Sequence, residues 1–322
     1  DPEKKGLLYA GTERGVWVSW DDGAHWQSLR LNLPIVPVHD LTIKDGDLIV
    51  ATHGRSFYVF DDLSPIRQMT PASVAKEAHL YKPRDAYRVE WGGGRGGRGG
   101  GGAAPSGAVV YYTLAKGGQD VSLEFLDAQG KVIKAFSSKA DSAAAPTAAA
   151  PADDDGPRPP APAPVVPNKA GLNTFSWNLR YPDAVTFPGM ILWAGDTRGP
   201  VAPAGTYSVR MRVGGGPAQT QTFKLKNDPR SSASAEDQLA QFTFLMKLRD
   251  RVSEANEAVI SMRYVKSEID DRLKKFGDGP CAYVIEASQS SNTFRYNGAS
   301  NWAGKKIQWL DSQALGWRLG IE

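Results

Sequence analysis

Residues Ser19–Trp26 read SWDDGAHW, and this stretch is the strongest fold signal in the chain. It follows the spacing S-x-D-x-G-x-x-W directly after a strand-like run at Leu7–Thr12. The carboxylate of Asp21 can accept backbone N–H groups of a turn, Gly23 permits a positive φ angle, and Trp26 can pack under a hairpin. The spacing therefore predicts a tight structural turn between two short β-strands.

The surroundings of this motif recur 40 residues later in the chain. Leu8–Thr12 (LYAGT) and Leu48–Thr52 (LIVAT) are each followed by an aromatic residue and two aspartates. A repeat of this length, built from short β-rich runs, is typical of one four-stranded propeller blade. At this offset Val59 stands at the position of Ser19 and Leu63 at the position of Gly23, so the second repeat is expected to lack the turn motif.

The turn motif resembles an Asp-box, or BNR repeat. The order of segments resembles the C-terminal part of large bacterial proteins that are related to the sortilin propeller and are often labelled glycosyl-hydrolase-like. The resemblance covers residues 1–277 and implies a mainly β fold that begins with terminal β-propeller blades at 1–64. It also implies that Ser19, Asp21, Gly23 and Trp26 form a structural turn away from the ligand face. Because a propeller needs about four to eight blades, two repeats predict a fragment whose missing blades lie upstream of Asp1.

Residues 107–228 predict a β-sandwich, because about seven short strands with alternating apolar residues suit two packed sheets. Asn173–Trp177 followed by PAGTYSV at Pro203–Val209 resembles the Ig-like module of flagellar hook-capping proteins. That resemblance implies that Trp177 fills the core, while Gly205 and Tyr207 begin a late strand. The seven strands are predicted at Ala108–Leu114, Val121–Leu126, Val132–Phe136, Thr174–Leu179, Met190–Ala194, Thr206–Val213 and Thr220–Lys226.

Two low-complexity segments interrupt this pattern. Residues 65–106 predict a proline-punctuated connector, and its Gly-rich part at Gly92–Gly102 is too poor in side chains to form a core. Two Arg-Gly-Gly triplets without interleaved aromatic residues favour a solvated linker over the alternative of RNA binding. The Ala/Pro-rich insert at 140–167 is expected to loop out as disordered chain.

A long helix is expected at 229–277. Ser234 and Asp237 form a capping-box variant, and apolar residues from Leu245 to Leu273 recur at intervals of three and four. This narrow seam predicts packing against a partner helix. Residues 278–322 lack such a period, and we hypothesise that truncation or a frameshift removed a returning helix.

Composition excludes several classes of function. The net charge of +3 comes from 38 basic and 35 acidic residues, which predicts no nucleic-acid partner. No apolar run is long enough for a membrane span. Cys281 is the single cysteine, so no internal disulfide, metal centre or cofactor is expected. The resemblance implies an extracytoplasmic protein, whose signal peptide would lie upstream of Asp1.

Candidate functional residues are few. Asp21 and Asp22 are neighbours on one turn and cannot flank a sugar as a glycosidase pair, which needs a separation of roughly 5–10 Å. His53 and Arg55 follow a strand and are the candidate ligand-binding residues, because arginine can bind a carboxylate or sugar hydroxyl through two hydrogen bonds. The alternative is that Arg55 only stabilises the turn, through Asp61 or Asp62.

Two functions remain open at this point. The chain is expected to be a non-catalytic part of a secreted propeller protein that binds a protein, peptide or glycan. Alternatively, it is the accessory C-terminal region of a secreted glycoside hydrolase whose catalytic carboxylates lie in the missing blades. Both hypotheses leave these 322 residues without catalytic activity of their own.

Overall fold

The computed structural model of the protein describes residues 1–89, 107–139, 164–190 and 197–276. Within these ranges the chain is mainly β and has one long C-terminal helix, as the sequence predicted. The expected linker at Gly92–Gly102 and the tail at 278–322 lie outside the described residues, as does most of the insert at 140–167. The chain forms two compact units, one from Asp1–Ala184 and Met190–Asp250, the other with Val185–Gly189 and residues 251–276 as its described part.

The first six strands form two three-stranded antiparallel sheets. The first sheet has the order β1-β2-β3, with β1 at Leu8–Thr12, β2 at Gly15–Ser19 and β3 at Gln27–Ser28. The second sheet has the order β4-β5-β6, with β4 at Val38–Lys44, β5 at Asp47–Thr52 and β6 at Phe57–Phe60. Asp45 and Gly46 both have positive φ angles between β4 and β5, which confirms the hairpin predicted from Asp-Gly.

These two sheets pack face to face around a shared apolar core. Val16 and Val18 of the first sheet and Leu48 and Val50 of the second are all buried in it. The sheets approach closely at Gly11, where a Cβ atom would lie 2.7 Å from Cγ1 of Val38. Glycine is needed there because any side chain would push the sheets apart.

The hairpins β1–β2 and β5–β6 are built alike. The hydroxyl of Thr12 donates to the carbonyl of Gly15 at 2.9 Å, and the hydroxyl of Thr52 donates to the carbonyl of Ser56 at 2.6 Å. Gly15 and Ser56 both have positive φ angles. The same local chemistry therefore closes both hairpins, as expected for two repeats.

The second hairpin turn is one residue longer than the first. Ala10 pairs with Trp17, but the corresponding Val50 pairs with Tyr58. Beyond the turn the repeats therefore correspond at an offset of 41 residues instead of 40. The predicted alignment of Val59 with Ser19 was wrong by one position, because an alignment at a constant offset does not allow for the extra residue in the second turn.

At the offset of 41 residues, the faces of β2 and β6 can be matched residue by residue. Val16 and Val18 of β2 are buried against the second sheet, and they correspond to Phe57 and Val59 of β6. Phe57 is 72% exposed and Val59 is 52% exposed. The same face is therefore covered in the first sheet and open in the second.

Two further sheets enclose the larger apolar core. Its most deeply buried aromatic side chains include Phe125, Tyr112 and Trp177, and the Trp177 ring stacks on Phe125 with centroids 4.8 Å apart. The five-stranded sheet has the order β11-β10-β13-β14-β8 and the three-stranded sheet the order β12-β9-β7. The strands are β7 Ala78–Leu80, β8 Ala86–Arg88, β9 Ala108–Leu114, β10 Val121–Leu126, β11 Val132–Ser137, β12 Gly171–Trp177, β13 Gly205–Val213 and β14 Gln219–Asn227.

Six of the seven strands predicted for residues 107–228 are present, with ends that differ by at most three residues. The seventh, Met190–Ala194, lies outside the described residues except for Met190. Strand β13 begins at Gly205, within the Pro-x-Gly-Thr-Tyr pattern that predicted a strand start, and Tyr207 is buried, with its hydroxyl donating to the carbonyl of Pro203 at 2.7 Å.

The segments expected to be irregular contribute to these sheets. The connector at 65–106 holds β7, which pairs with β9, and β8, which pairs in parallel with β14. Between β6 and β7 it forms two short helices, α1 at Ser64–Gln68 and α2 at Pro71–Val74. Val166 lies in the segment expected to be disordered, yet its N–H donates to the carbonyl of Ser137 and its side chain is buried in the larger core.

Helix α3 spans Ala235–Phe276. The predicted cap is confirmed, since the N–H of Asp237 donates to the Ser234 hydroxyl at 3.0 Å. The predicted seam is only partly covered, because Leu248 is 51% exposed and Met262 is 58% exposed. In the second unit the helix instead contacts the segment Val185–Gly189, where Asn256 donates to the carbonyl of Val185 at 2.6 Å.

Candidate functional site

The turn predicted from the Ser19–Trp26 motif is formed by its own side chains. The Ser19 hydroxyl is buried, donates to Oδ1 of Asp21 at 2.8 Å and accepts the N–H of Gly23 at 2.9 Å. The N–H of His25 donates to Oδ1 of Asp21 at 2.9 Å, and Asp22 and Gly23 both have positive φ angles. The Ser19 hydroxyl and the Asp21 carboxylate thus both have their partners inside the turn.

These hydrogen bonds act on the ionisation of Asp21. The backbone N–H and the ring of His25, together with the Ser19 hydroxyl, lower the pKa of Asp21 to about 2. Its second oxygen lies 2.6 Å from Nδ1 of His25. Because both oxygens of Asp21 are occupied within the turn, Asp21 and Asp22 do not form a pair poised for acid–base chemistry.

The last residue of the motif lies differently from the prediction. Trp26 is 39% exposed and lies beside Gly23, where it covers the turn instead of filling the core under the hairpin. Trp20 takes the more buried position, and its indole N–H donates to the carbonyl of Ile66 at 3.0 Å. Trp20, and not Trp26, therefore packs against the core that the two sheets share.

The turn of the second hairpin brings together the predicted residue His53 and a residue that the prediction missed, His39. Their rings stack with centroids 5.0 Å apart and an angle of 23° between planes. His39 is the extra residue of a β-bulge, since Val38 pairs with Thr52 and Asp40 pairs with Ala51. A bulge redirects a side chain, which explains how residues 14 apart in sequence meet.

Arg55 lies on the same turn and is exposed, like both histidines. Among the described residues no salt bridge joins Arg55 to Asp61 or Asp62. The carboxylate of Asp62 instead accepts the N–H of Ser64 at 2.9 Å. The alternative in which Arg55 only stabilises its turn through these aspartates is therefore not supported. We call His39, His53 and Arg55 the basic end of β6.

The opposite end of β6 is acidic. Asp61 and Asp62 follow the strand, and Asp47 begins the neighbouring strand β5. Arg84 forms a salt bridge with Asp47 at 2.6 Å. Burial and the neighbouring carboxylate of Asp47 raise the pKa of Asp61. We call Asp47, Asp61 and Asp62 the acidic end of β6.

Other features offer less chemistry. The described residues contain no cluster of three or more His, Cys, Asp or Glu side chains that could hold a metal ion. A shallow groove of about 410 Å³ runs along the first turns of α3, where Leu239 and Phe244 lie between Glu236 and Lys247. Its lining surface is mostly apolar, so the basic end of β6 remains the candidate site.

A scan against models of protein families found no match, and a search of curated proteins found no similar protein. In the part of the chain that the structure describes, no helix is both long and apolar enough to span a membrane.

Proposed function

We propose that this chain is a non-catalytic binding region, and that the basic end of β6 contacts a protein, peptide or glycan ligand. One observation carries the proposal: a bulge and a hairpin turn on one sheet stack two exposed histidine rings, and the exposed Arg55 lies on the same hairpin turn as His53. Side chains on loops that a rigid sheet supports are frequent binding residues.

Each group of the basic end has a role in this proposal. Arg55 binds an acidic side chain or sugar hydroxyls through its planar guanidinium. The stacked rings of His53 and His39 lie at the same end of the sheet, and an exposed ring face suits an aromatic side chain or the face of a sugar ring. The His53 N–H donates to the carbonyl of Pro37 at 2.9 Å, so the backbone that carries this ring is held in place.

We further propose that the first two sheets are blades of a β-propeller and that the larger core belongs to an Ig-like sandwich. The face correspondence supports the propeller, because successive blades stack with the same face in the same direction. The open face at Phe57 and Val59 would then be covered by another blade of a longer chain. An extracytoplasmic location follows from this proposal and rests on the same resemblance.

The accessory region of a glycoside hydrolase is the competing hypothesis. Under that hypothesis the basic end of β6 has no role in ligand binding. The two catalytic carboxylates lie in other blades, roughly 5–10 Å apart across a cleft. The two hypotheses differ in whether Arg55 and His53 contribute to ligand affinity.

The experiment is a peptide and glycan array screen with the full chain, followed by titration of any ligand found. Arg55→Ala is expected to weaken binding about tenfold or more, because it removes charge-assisted hydrogen bonds. Arg14→Ala is the matched control, since Arg14 precedes Gly15 in the first hairpin as Arg55 precedes Ser56 in the second. Equal affinity of the wild type and Arg55→Ala would contradict the proposed site, and turnover of a glycoside by this chain would contradict the non-catalytic function.

A further inference from the structure

The outer edge of β6 lacks the neighbour that the first repeat supplies. In the first sheet the chain returns as β3, which pairs Gln27 with Val18 and Ser28 with Trp17. In the second sheet the chain instead enters α1 after Asp62, and no described strand pairs with the outer edge of β6. The place that β3 fills beside β2 is therefore open beside β6 within the described residues.

The backbone of this edge is oriented for pairing. The N–H of Thr52 donates to the carbonyl of Ser56, so these two residues form a hydrogen-bonded pair. Because such pairs alternate along an antiparallel ladder, Tyr58 and Phe60 bond to β5 while the N–H and C=O groups of Phe57 and Val59 point outward. Among the described hydrogen bonds none satisfies these outward groups.

The side chains do not protect the edge either. Native sheets usually block an edge strand with charge or proline, but β6 reads FYVF. Of the described strands, β6 alone exposes two large apolar side chains. The edge strand β12 differs, because its exposed positions are Leu172 and mostly small or polar residues.

Charge is distributed unequally along β6. The basic end lies at its start and the acidic end at its finish, where Arg84 forms a salt bridge with Asp47 near Asp61 and Asp62. A parallel neighbour of the same sequence would place like charges together. An antiparallel neighbour of the same sequence would place Arg55 near Asp61 at both ends, which favours the antiparallel arrangement.

We propose that the β6 edges of two copies of this chain pair antiparallel about a two-fold axis and form a six-stranded sheet. The axis passes beside Tyr58, which places Phe57 opposite Val59 of the second copy. In this register the outward N–H and C=O groups of Phe57 and Val59 bond to each other, and both apolar side chains gain cross-strand contacts. A closed two-fold contact limits the assembly to a dimer. Because β6 has four residues, the dimer is weak and depends on concentration.

Sedimentation equilibrium of the full chain over a wide concentration range tests this proposal. The wild type is expected to show a monomer–dimer equilibrium that Val59→Lys abolishes. Leu172→Lys is the matched control, because it places the same charge on another exposed edge position, and it is expected to dimerise like the wild type. A wild type that stays monomeric, a Val59→Lys variant that still dimerises, or open-ended aggregates would each overturn the proposal.

A charge exchange tests the antiparallel direction. Arg55→Glu and Asp61→Lys are each expected to weaken the dimer several-fold, and a mixture of the two variants is expected to form a heterodimer that matches opposite charges at both ends. Circular dichroism checks that both variants fold. If Asp61→Lys does not fold, Arg55→Glu alone tests the contact, and it is expected to dimerise more weakly than the wild type. Failure to do so would exclude the antiparallel contact. Val59→Lys leaves His53 and Arg55 intact, so ligand binding by that variant separates this inference from the proposed function.

Discussion

The hairpins β1–β2 and β5–β6 use the same backbone chemistry but continue into different structures. Both close with a threonine hydroxyl that donates across the turn to a residue with a positive φ angle. After the first hairpin, the Ser19–Trp26 turn sends the chain back as a third strand. After the second, Asp62 leads into α1, which leaves the edge of β6 unpaired among the described strands. A repeated hairpin can thus keep its backbone chemistry while a changed exit leaves the edge of its second strand without a neighbour.

The largest effect on stability is expected from a substitution on the buried face of the second sheet. Leu48 is 1% exposed, so Leu48→Ala is expected to lower the free energy of unfolding by about 2–5 kcal/mol. Val59→Ala, on the open face of the same sheet, is expected to change it by no more than about 0.5 kcal/mol. Denaturant unfolding of both variants at low protein concentration measures the difference. Similar losses for the two would mean that the open face is covered in the monomer.

A smaller effect is expected where the two sheets touch. Gly11→Ala is expected to lower the free energy of unfolding by about 1–3 kcal/mol, because the new Cβ would lie 2.7 Å from Cγ1 of Val38. Ala51 occupies the corresponding position of the second sheet, on the open face, so Ala51→Val is expected to change stability by about 0.5 kcal/mol or less. Thermal or denaturant unfolding compares the two. If Gly11→Ala were neutral, the close packing of the sheets at this point would be refuted.

The smallest expected effect concerns the turn after the first hairpin. The hydrogen bonds from His25 and Ser19 hold the pKa of Asp21 at about 2, below its ordinary value of 3.8. Since the folded pKa is the lower one, the stabilisation is complete above the ordinary pKa and is lost as pH falls from about 4 to about 2. The free energy of unfolding is measured against pH for the wild type and for Asp21→Asn. The difference between the two proteins is expected to shrink as the pH falls through this window. A constant difference would show that the charge of Asp21 does not stabilise the turn.

Local signals predicted a large part of this fold. The S-x-D-x-G spacing predicted a turn that its own side chains close, the Asp45-Gly46 pair predicted a hairpin, and the Ser234–Asp237 pair predicted the start of α3. Alternation of apolar residues predicted six strands of the larger sheets. Each of these depends on groups that are close in sequence, so a single chain segment contains the whole reason for it.

The candidate site was only half predictable. His53 and Arg55 were identified from their place after a strand, but His39 joins them through a bulge in β4. The hairpin predicted at Asp45-Gly46 places residues 39 and 53 near the same end of the sheet. It does not show that an extra residue turns the His39 ring toward His53.

The sequence by itself determined where the chain turns, which segments alternate and where the long helix begins, because hydrogen bonds and periodicity within a few residues control these features. Only the tertiary structure decided that β7 and β8 leave the connector to join the two larger sheets, and that Val166 enters the core. It also decided that β6 corresponds to β2 at an offset of 41 residues instead of 40, which places Phe57 and Val59 on an open face. Pairing between distant strands selects these outcomes, and the free energy of such pairing depends on the partner as much as on the segment itself.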